Sequence, residues 1–270
     1  MAVITLTSAT GAPGVTTAAL GLALTWPRDV LLADCDRDPS QAIPAGWLRG
    51  ADLGGRGLGQ LAGVHREHRR LSEEMWLQTV DLGDAGDRER RFLPGFTHPG
   101  AVALFAPIWQ ELVDSFTALG SGGTDVVVDA GRTGRDGLPA PLVAGSDMLL
   151  VCVRSSLRAL AGLRLHLPTL QAHVEALGAP CDLGLLVVGP NDPYGSREIE
   201  KQFGVPVVHS LAWDPRQAKV FSDGSVPPRS LAGGALPRSF KACASRIAET
   251  VQRRNEVLAG TRAPVEWGAR

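Results

Sequence analysis

Short apolar runs without polar alternation recur along the chain, and longer stretches with helical spacing separate them. Such runs are typical of strands covered on both faces, and hence of a parallel sheet with helices on each side. Strands are predicted at residues 2–6, 30–33, 125–129, 148–153, 183–188 and 205–208, with two shorter ones at 76–80 and 90–93. Helices are predicted at residues 18–24, 101–119, 157–177 and 196–203. The pattern predicts an α/β fold with a doubly wound, mostly parallel sheet.

The chain shows no linker and no internal repeat, so we expect residues 1–258 to form one domain. Residues 259–270 are predicted to be a flexible tail, and residues 46–74 carry the weakest pattern. Apolar positions 240, 244, 247, 251 and 258 form a narrow stripe in a C-terminal helix. This stripe favours packing against the sheet over docking on a membrane.

The composition of the chain indicates its cellular compartment and the classes of partner that it can bind. The 270 residues carry a net charge of −1, which gives no general attraction to nucleic acid or anionic lipid. Four cysteines lie far apart without C-x-x-C spacing, as expected of reduced thiols. No signal peptide is evident, and no window reaches the ~18 apolar residues of a spanning helix. We expect a cytoplasmic protein that associates at most peripherally with the inner face of the membrane.

A glycine-rich stretch links the first predicted strand to the first helix. Strand, glycine-rich loop and a helix that starts with paired threonines are the layout of a phosphate-binding P-loop. On the pattern G-x-x-x-x-G-K-[ST], Gly14 and Thr16 fit, whereas Ala9 replaces the first glycine and Val15 the lysine. That lysine carries positive charge to the β- and γ-phosphates, which valine cannot do. The loop indicates a nucleotide fold whose catalytic competence is in question.

Polar residues follow several of the predicted strands, where a nucleotide fold places its working groups. Asp34 and Asp36 follow the second strand, and Asp129 ends the third in a Walker B-like turn. Asn191 follows the fifth strand, and Asp214 comes shortly after the sixth. An aspartate at the end of a strand often only caps the next helix, so the order of all these residues matters more than any one.

This order resembles the ParA/MinD group of P-loop proteins, which carry the deviant box K-G-G-x-G-K-[ST]. The resemblance covers nearly the whole chain and is carried by residues 10–17, 31–36, 126–131, 146–160, 204–207 and 213–214. In the family the box supplies a signature lysine, which reaches the partner subunit's nucleotide, and the ordinary P-loop lysine. Thr10 and Val15 occupy these two positions here, and the stretch around Asp129 is one residue shorter than in the family.

The resemblance implies ATP and Mg²⁺ as cofactors, a homodimer, and roles for the residues that survive. The residues implied to bind the nucleotide are Gly11, Ala12, Pro13, Gly14, Val15, Thr16, Thr17, Asn191 and Asp214. Thr16 and Asp129 are implied to hold the metal, and Asp34 or Asp36 to position the attacking water. Arg132 and Arg135 could replace part of the missing charge, or they could be two solvated loop arginines. Without its lysines the site either binds nucleotide weakly, as in a slow ATPase, or is vestigial in a scaffold protein.

The lysine-free box and the absence of an added DNA-binding region look closest to the CpaE/TadZ branch of this group. Proteins of that branch localise or assemble tight-adherence (Flp-type) pili and related secretion machines, so partners from such an apparatus are expected. The alternative is a ParA-type ATPase that partitions a chromosome or plasmid. DNA binding is not favoured, because an acid interrupts both basic clusters, residues 65–70 and 88–91.

Overall fold

The computed structural model of the chain describes residues 2–83, 88–178 and 181–261. The strands are β1 Val3–Ser8, β2 Val30–Asp34, β3 Val80–Asp81, β4 Arg90–Leu93, β5 Asp125–Arg132, β6 Met148–Arg154, β7 Asp182–Val188 and β8 Val207–Leu211. The helices are α1 Val15–Thr25, α2 Leu58–Arg66, α3 Leu71–Glu74, α4 Pro99–Leu104, α5 Trp109–Leu119, α6 Ala140–Ala144, α7 Leu157–Ala176, α8 Ser196–Phe203, α9 Pro215–Ser222 and α10 Ala235–Thr261. A π-helical turn, Ile43–Trp47, follows β2.

The described strands form one eight-stranded sheet in the order β3-β4-β2-β5-β1-β6-β7-β8. Neighbouring strands run parallel except β3, which pairs antiparallel with β4 at the edge. Side chains from α5 and α7 pack on one face of the sheet, and side chains from α1 and α10 pack on the other. The predicted fold class, an α/β doubly wound and mostly parallel sheet, is confirmed.

Two predicted elements need correction. The helix predicted over residues 101–119 is two helices, α4 and α5, separated by the 3₁₀ turn Ala106–Ile108. Pro107 lies in this turn, and proline has no N–H to continue a helical hydrogen-bond ladder. The strand predicted over residues 76–80 is wrong except at Val80, because residues Met75–Gln78 form a 3₁₀ turn. The Thr79 hydroxyl donates to the Trp76 carbonyl at 2.8 Å and closes that turn.

The C-terminal helix α10 belongs to the core of the domain. Phe240, Ala244, Ile247 and Val251 are all buried against the sheet and α1, so the prediction of a packed helix is confirmed. The helix runs to Thr261, three residues into the segment predicted to be a flexible tail. Residues 262–270 of that segment lie outside the described residues. No helix within the described ranges combines the length and apolarity needed to cross a bilayer.

A buried carboxylate, that of Asp125, holds the amino-terminal end of β1 against the amino-terminal end of β5. Asp125 accepts hydrogen bonds from the Ala2 N–H at 2.7 Å and from the Trp26 indole N–H at 2.8 Å. The Arg28 guanidinium donates to the same carboxylate at 2.7 Å. These bonds join the start of β5 to the starts of β1 and β2. They therefore help to fix the register of the three strands, and with it the relative positions of their carboxyl ends.

Close packing of α1 on α10 gives a testable prediction. A Cβ at Gly21 would lie 2.3 Å from the buried ring of Phe240. Gly21→Ala should therefore lower the free energy of unfolding by about 1–3 kcal/mol, because overpacking outweighs the better helix propensity of alanine. Gly63→Ala in α2, where an added Cβ meets nothing within 4 Å, should raise it by about 0.5–1 kcal/mol. Denaturant unfolding measures both, and effects of equal sign would contradict the packing.

Candidate nucleotide site

The loop between β1 and α1 is shaped by two glycines in left-handed conformations. Gly11 has φ of 71° and Gly14 has φ of 94°, values that only glycine adopts readily. Gly14 immediately precedes α1, and its carbonyl accepts the N–H of Ala18 at 2.8 Å. No described side chain caps this end of α1. The backbone N–H groups of the first turn are therefore available to an anion, which the helix dipole also favours.

The loop wraps a cavity of about 530 Å³. Its lining residues are Ser8, Gly11, Ala12, Pro13, Gly14, Val15, Thr16, Thr17, Asp36, Asp38, Pro39, Ser40, Gly131 and Arg132. All the loop residues implied by the resemblance, from Gly11 to Thr17, therefore meet at one cavity. Ser8 was not anticipated, although it ends β1 directly before the loop; its Oγ is buried and has no hydrogen-bond partner among the described residues.

Thr16 and Asp129 come together at the start of α1. Asp129 is 1% exposed, and its Oδ1 accepts the Gly131 N–H at 3.0 Å. Its Oδ2 is buried without a hydrogen-bond partner in the described part of the chain. Burial raises the pKa of Asp129 to about 6, and the nearby Thr16 hydroxyl opposes part of that rise. A hydroxyl beside an unsatisfied carboxylate oxygen is a donor set that suits Mg²⁺, so these residues fit the metal.

The two acids after β2 occupy different positions. Asp34 lies opposite Asp129 in the β2–β5 register and is buried beneath Gly95. Burial and then the charge of Asp129 raise the pKa of Asp34 well above its usual range. Asp36 lines the cavity and lies so close to Gly131 that a Cβ there would be 2.1 Å from its carboxylate. Of the two acids implied to position water, Asp36 is the one that faces the cavity.

Neither Thr10 nor Val15, at the positions where the resemblance implies lysines, brings a charge to the cavity. Thr10 packs against Gly162 of α7, where an added Cβ would lie 2.3 Å from the Thr10 hydroxyl oxygen. Val15 is 7% exposed and belongs to the apolar core beneath α1. Among the described residues the one cation that lines the cavity is Arg132, whose guanidinium donates to Asp38 at 2.8 Å. Arg135 lines a different cavity, beside α7.

Another cavity, of about 190 Å³, adjoins the β1–α1 loop and shares Ala12, Gly14 and Thr17 with the 530 Å³ cavity as lining residues. Trp213 and Asp214 form part of its wall. Asp214 also caps α9, because its Oδ1 accepts hydrogen bonds from the backbone N–H groups of Arg216 and Gln217, at 3.0 Å each. Trp213 is 48% exposed at the rim of this cavity, and the Arg154 guanidinium lies 3.3 Å from its ring centroid.

Asn191, implied to recognise the base, lies apart from both cavities. It has a left-handed φ of 65° and is exposed in the loop after β7. Its N–H donates to the Tyr194 carbonyl at 2.9 Å, which closes a local turn. It is not among the residues that line either cavity. Asn191 thus forms a turn within its own loop, and Asp214, but not Asn191, lies at the cavity beside the β1–α1 loop.

Comparison with known proteins identifies the fold. No protein-family model and no curated protein matches the sequence. A ParA family ATPase from Chlorobium tepidum TLS superposes with a TM-score of 0.67 at 15% identity, over 90% of this chain and 98% of that one. MinD in the MinC:MinD cell division complex of Aquifex aeolicus gives 0.65 at 14%, over 92% and 96%. MinD of Pyrococcus horikoshii OT3, complexed with Mg-ADP, gives 0.64 at 17%, over 98% and 99%. The chain therefore has the fold of the ParA and MinD ATPases.

The raised pKa of Asp129 predicts a pH-dependent gain in stability on removal of its charge. The folded protein binds this proton more tightly than the unfolded chain, so the cost of ionisation is absent below about pH 4 and complete above about pH 6. Asp129→Asn should therefore raise the free energy of unfolding of the metal-free protein by about 2–3 kcal/mol at pH 7.5. Near pH 4 the gain should vanish.

Urea unfolding at both pH values measures this effect. Asp114→Asn, on the exposed face of α5, is the matched control and should change stability by less than about 0.5 kcal/mol at either pH. A gain for Asp129→Asn that is the same at pH 4 and pH 7.5 would contradict the buried, ionised carboxylate.

Proposed function

We propose that this chain is a weak or inactive ATPase of the ParA/MinD kind that binds a magnesium nucleotide without a P-loop lysine. Its role is to localise or assemble a pilus or secretion apparatus of the tight-adherence type, as a homodimer that acts on protein partners. The observation that carries the first part is that the uncapped start of α1 and Thr16 line one cavity. Beside the Thr16 hydroxyl lies an Asp129 oxygen that has no hydrogen-bond partner among the described residues.

Each element of that cavity has a defined part in nucleotide binding. The free N–H groups at the start of α1 would hold phosphate oxygens, since they point at the anion and lie at the positive end of the helix dipole. Thr16 and Asp129 would hold Mg²⁺, which neutralises phosphate charge when bound. Asp36 faces the same cavity and would orient a water molecule. The solved Mg-ADP complex of a protein with this fold supports such a ligand.

The missing lysines set the expected strength of binding and of catalysis. Each charge-assisted phosphate contact is worth about 1.5–3 kcal/mol. A cation aimed at the charge of the transition state contributes still more to the rate. Because threonine and valine side chains carry no charge, neither Thr10 nor Val15 supplies that contact. We therefore expect slow or absent hydrolysis, and regulation by nucleotide occupancy rather than by turnover.

The charge distribution supports a protein partner over DNA. In the basic cluster at residues 65–70, Arg69 pairs with Glu67 at 3.0 Å and also with Glu74, while His65 contacts Glu111 at 2.7 Å. Cations that are already paired release fewer counterions on binding phosphate, so they contribute little to nonspecific DNA affinity. A ParA-type partition role thus receives less support. The MinC:MinD complex provides a precedent for a protein partner on this fold.

A nucleotide-independent adaptor is the second candidate. It is favoured by one observation: the acids Asp36 and Asp38 line the cavity, and its one cation among the described residues, Arg132, is bonded to Asp38. An adaptor would use the same fold to hold a partner permanently. The two candidates differ in whether ligand binding stabilises the fold.

Thermal unfolding with Mg²⁺ and ADP, ATP, GDP or GTP at millimolar concentration separates the candidates. A ligand at about one hundred times its dissociation constant should add about 2.7 kcal/mol of stability. Thr16→Ala should abolish the shift because it removes the hydroxyl beside Asp129. Thr169→Ala, an exposed threonine of α7, is the matched control and should retain it. No shift with any nucleotide would favour the adaptor.

A further inference from the structure

We propose that the P-loop cavity selects a nucleoside diphosphate over a triphosphate, so that the chain responds to the diphosphate form. This inference rests on the proposed function, because it concerns the ligand of the same site. It is carried by the division of the cavity between backbone groups that can hold phosphate and side chains that repel it.

The attractive part of the cavity is backbone. In a P-loop the N–H groups at the start of the helix cradle the α- and β-phosphates, whereas the lysine reaches the β- and γ-phosphates. The first of these features is present here, because Gly11 and Gly14 hold the loop open at the uncapped start of α1. The second is absent, because the chain has the uncharged Val15 at the position of that lysine.

The side chains that line the cavity carry more negative than positive charge. Asp36 and Asp38 both line it, against one guanidinium, that of Arg132. Arg132 already donates to Asp38 at 2.8 Å. The other described side-chain donors at the cavity are neutral hydroxyls, including the buried Ser8 Oγ, which has no partner among the described residues. A hydroxyl can bind a phosphate oxygen but does not neutralise its charge.

A nearby arginine is held away from this role. Arg37 follows Asp36, yet its guanidinium donates to the Thr133 carbonyl at 2.9 Å and to the Gly137 carbonyl. These bonds tie it to the loop after β5, and Arg37 is not among the residues that line the cavity. The additional charge of a triphosphate therefore meets Asp36 and Asp38, and no free side-chain cation among the described residues lines the cavity to offset it. A diphosphate keeps the backbone contacts and avoids that penalty.

Isothermal titration of the full chain with Mg-ADP and with the nonhydrolysable Mg-AMPPNP tests the proposal. Mg-ADP should bind about 10- to 100-fold more tightly, the equivalent of one missing charge-assisted contact. Equal or tighter binding of Mg-AMPPNP would overturn the diphosphate preference and leave the proposed nucleotide site standing. Binding of neither ligand would overturn both proposals.

Two substitutions test the cause of the preference. Val15→Lys restores the cation and Asp36→Asn removes one carboxylate, so each should reduce the preference for Mg-ADP by about tenfold. Asp36→Asn keeps the side-chain oxygen that accepts the Asp38 N–H at 2.9 Å, so it tests the charge even where a lysine at buried position 15 prevents folding. Asp114→Asn should leave the preference unchanged. An unchanged ratio in Asp36→Asn would overturn the charge-based explanation.

Discussion

The parallel register of β1, β2 and β5 is the constraint on which the site depends. β5 lies between β2 and β1, and it pairs Asp34 opposite Asp129 and Leu6 opposite the same residue. Since the carboxyl ends of parallel strands meet at one edge of a sheet, this register brings the β1–α1 loop, the turn after Asp129 and the acids after β2 to a common point. The bonds of Asp125 at the other end of the sheet hold that register. A one-residue slip would turn Asp129 away from Thr16.

The same register places several carboxylates close together, and their burial and mutual repulsion oppose folding. Asp34 and Asp129 are buried side by side, with their pKa values raised by loss of water and, for Asp34, by the charge of its neighbour. A fold that tolerates such a cost usually does so for a ligand, because a buried polar group without a partner opposes folding. Ser8 Oγ and Asp129 Oδ2 have no hydrogen-bond partner in the described part of the chain, and Ser8 lines the cavity beside the start of α1. A bound cation would relieve the repulsion between these carboxylates.

Much of this arrangement could be predicted from the sequence, and the failures have physical causes. The buried strands and the glycine-rich loop have strong local signals, so the sheet and the residues of the loop followed from them. Pro107 marks the break between α4 and α5, but the helical spacing of the apolar residues on both sides of it favoured one continuous helix. The different placements of Asp34 and Asp36, the packing of Thr10 on Gly162 and the engagement of Arg37 depend on contacts between distant segments. Local sequence patterns do not contain that information.

Amide hydrogen exchange across the loop tests the central claim most directly, namely that backbone N–H groups hold phosphate where the lysines are lost. On addition of saturating Mg-ADP, the account predicts slower exchange for the amides of Gly11, Ala12 and residues 14–17; Pro13 has none to exchange. Unchanged exchange in these residues while nucleotide is bound would contradict it, because the phosphates would then lie elsewhere.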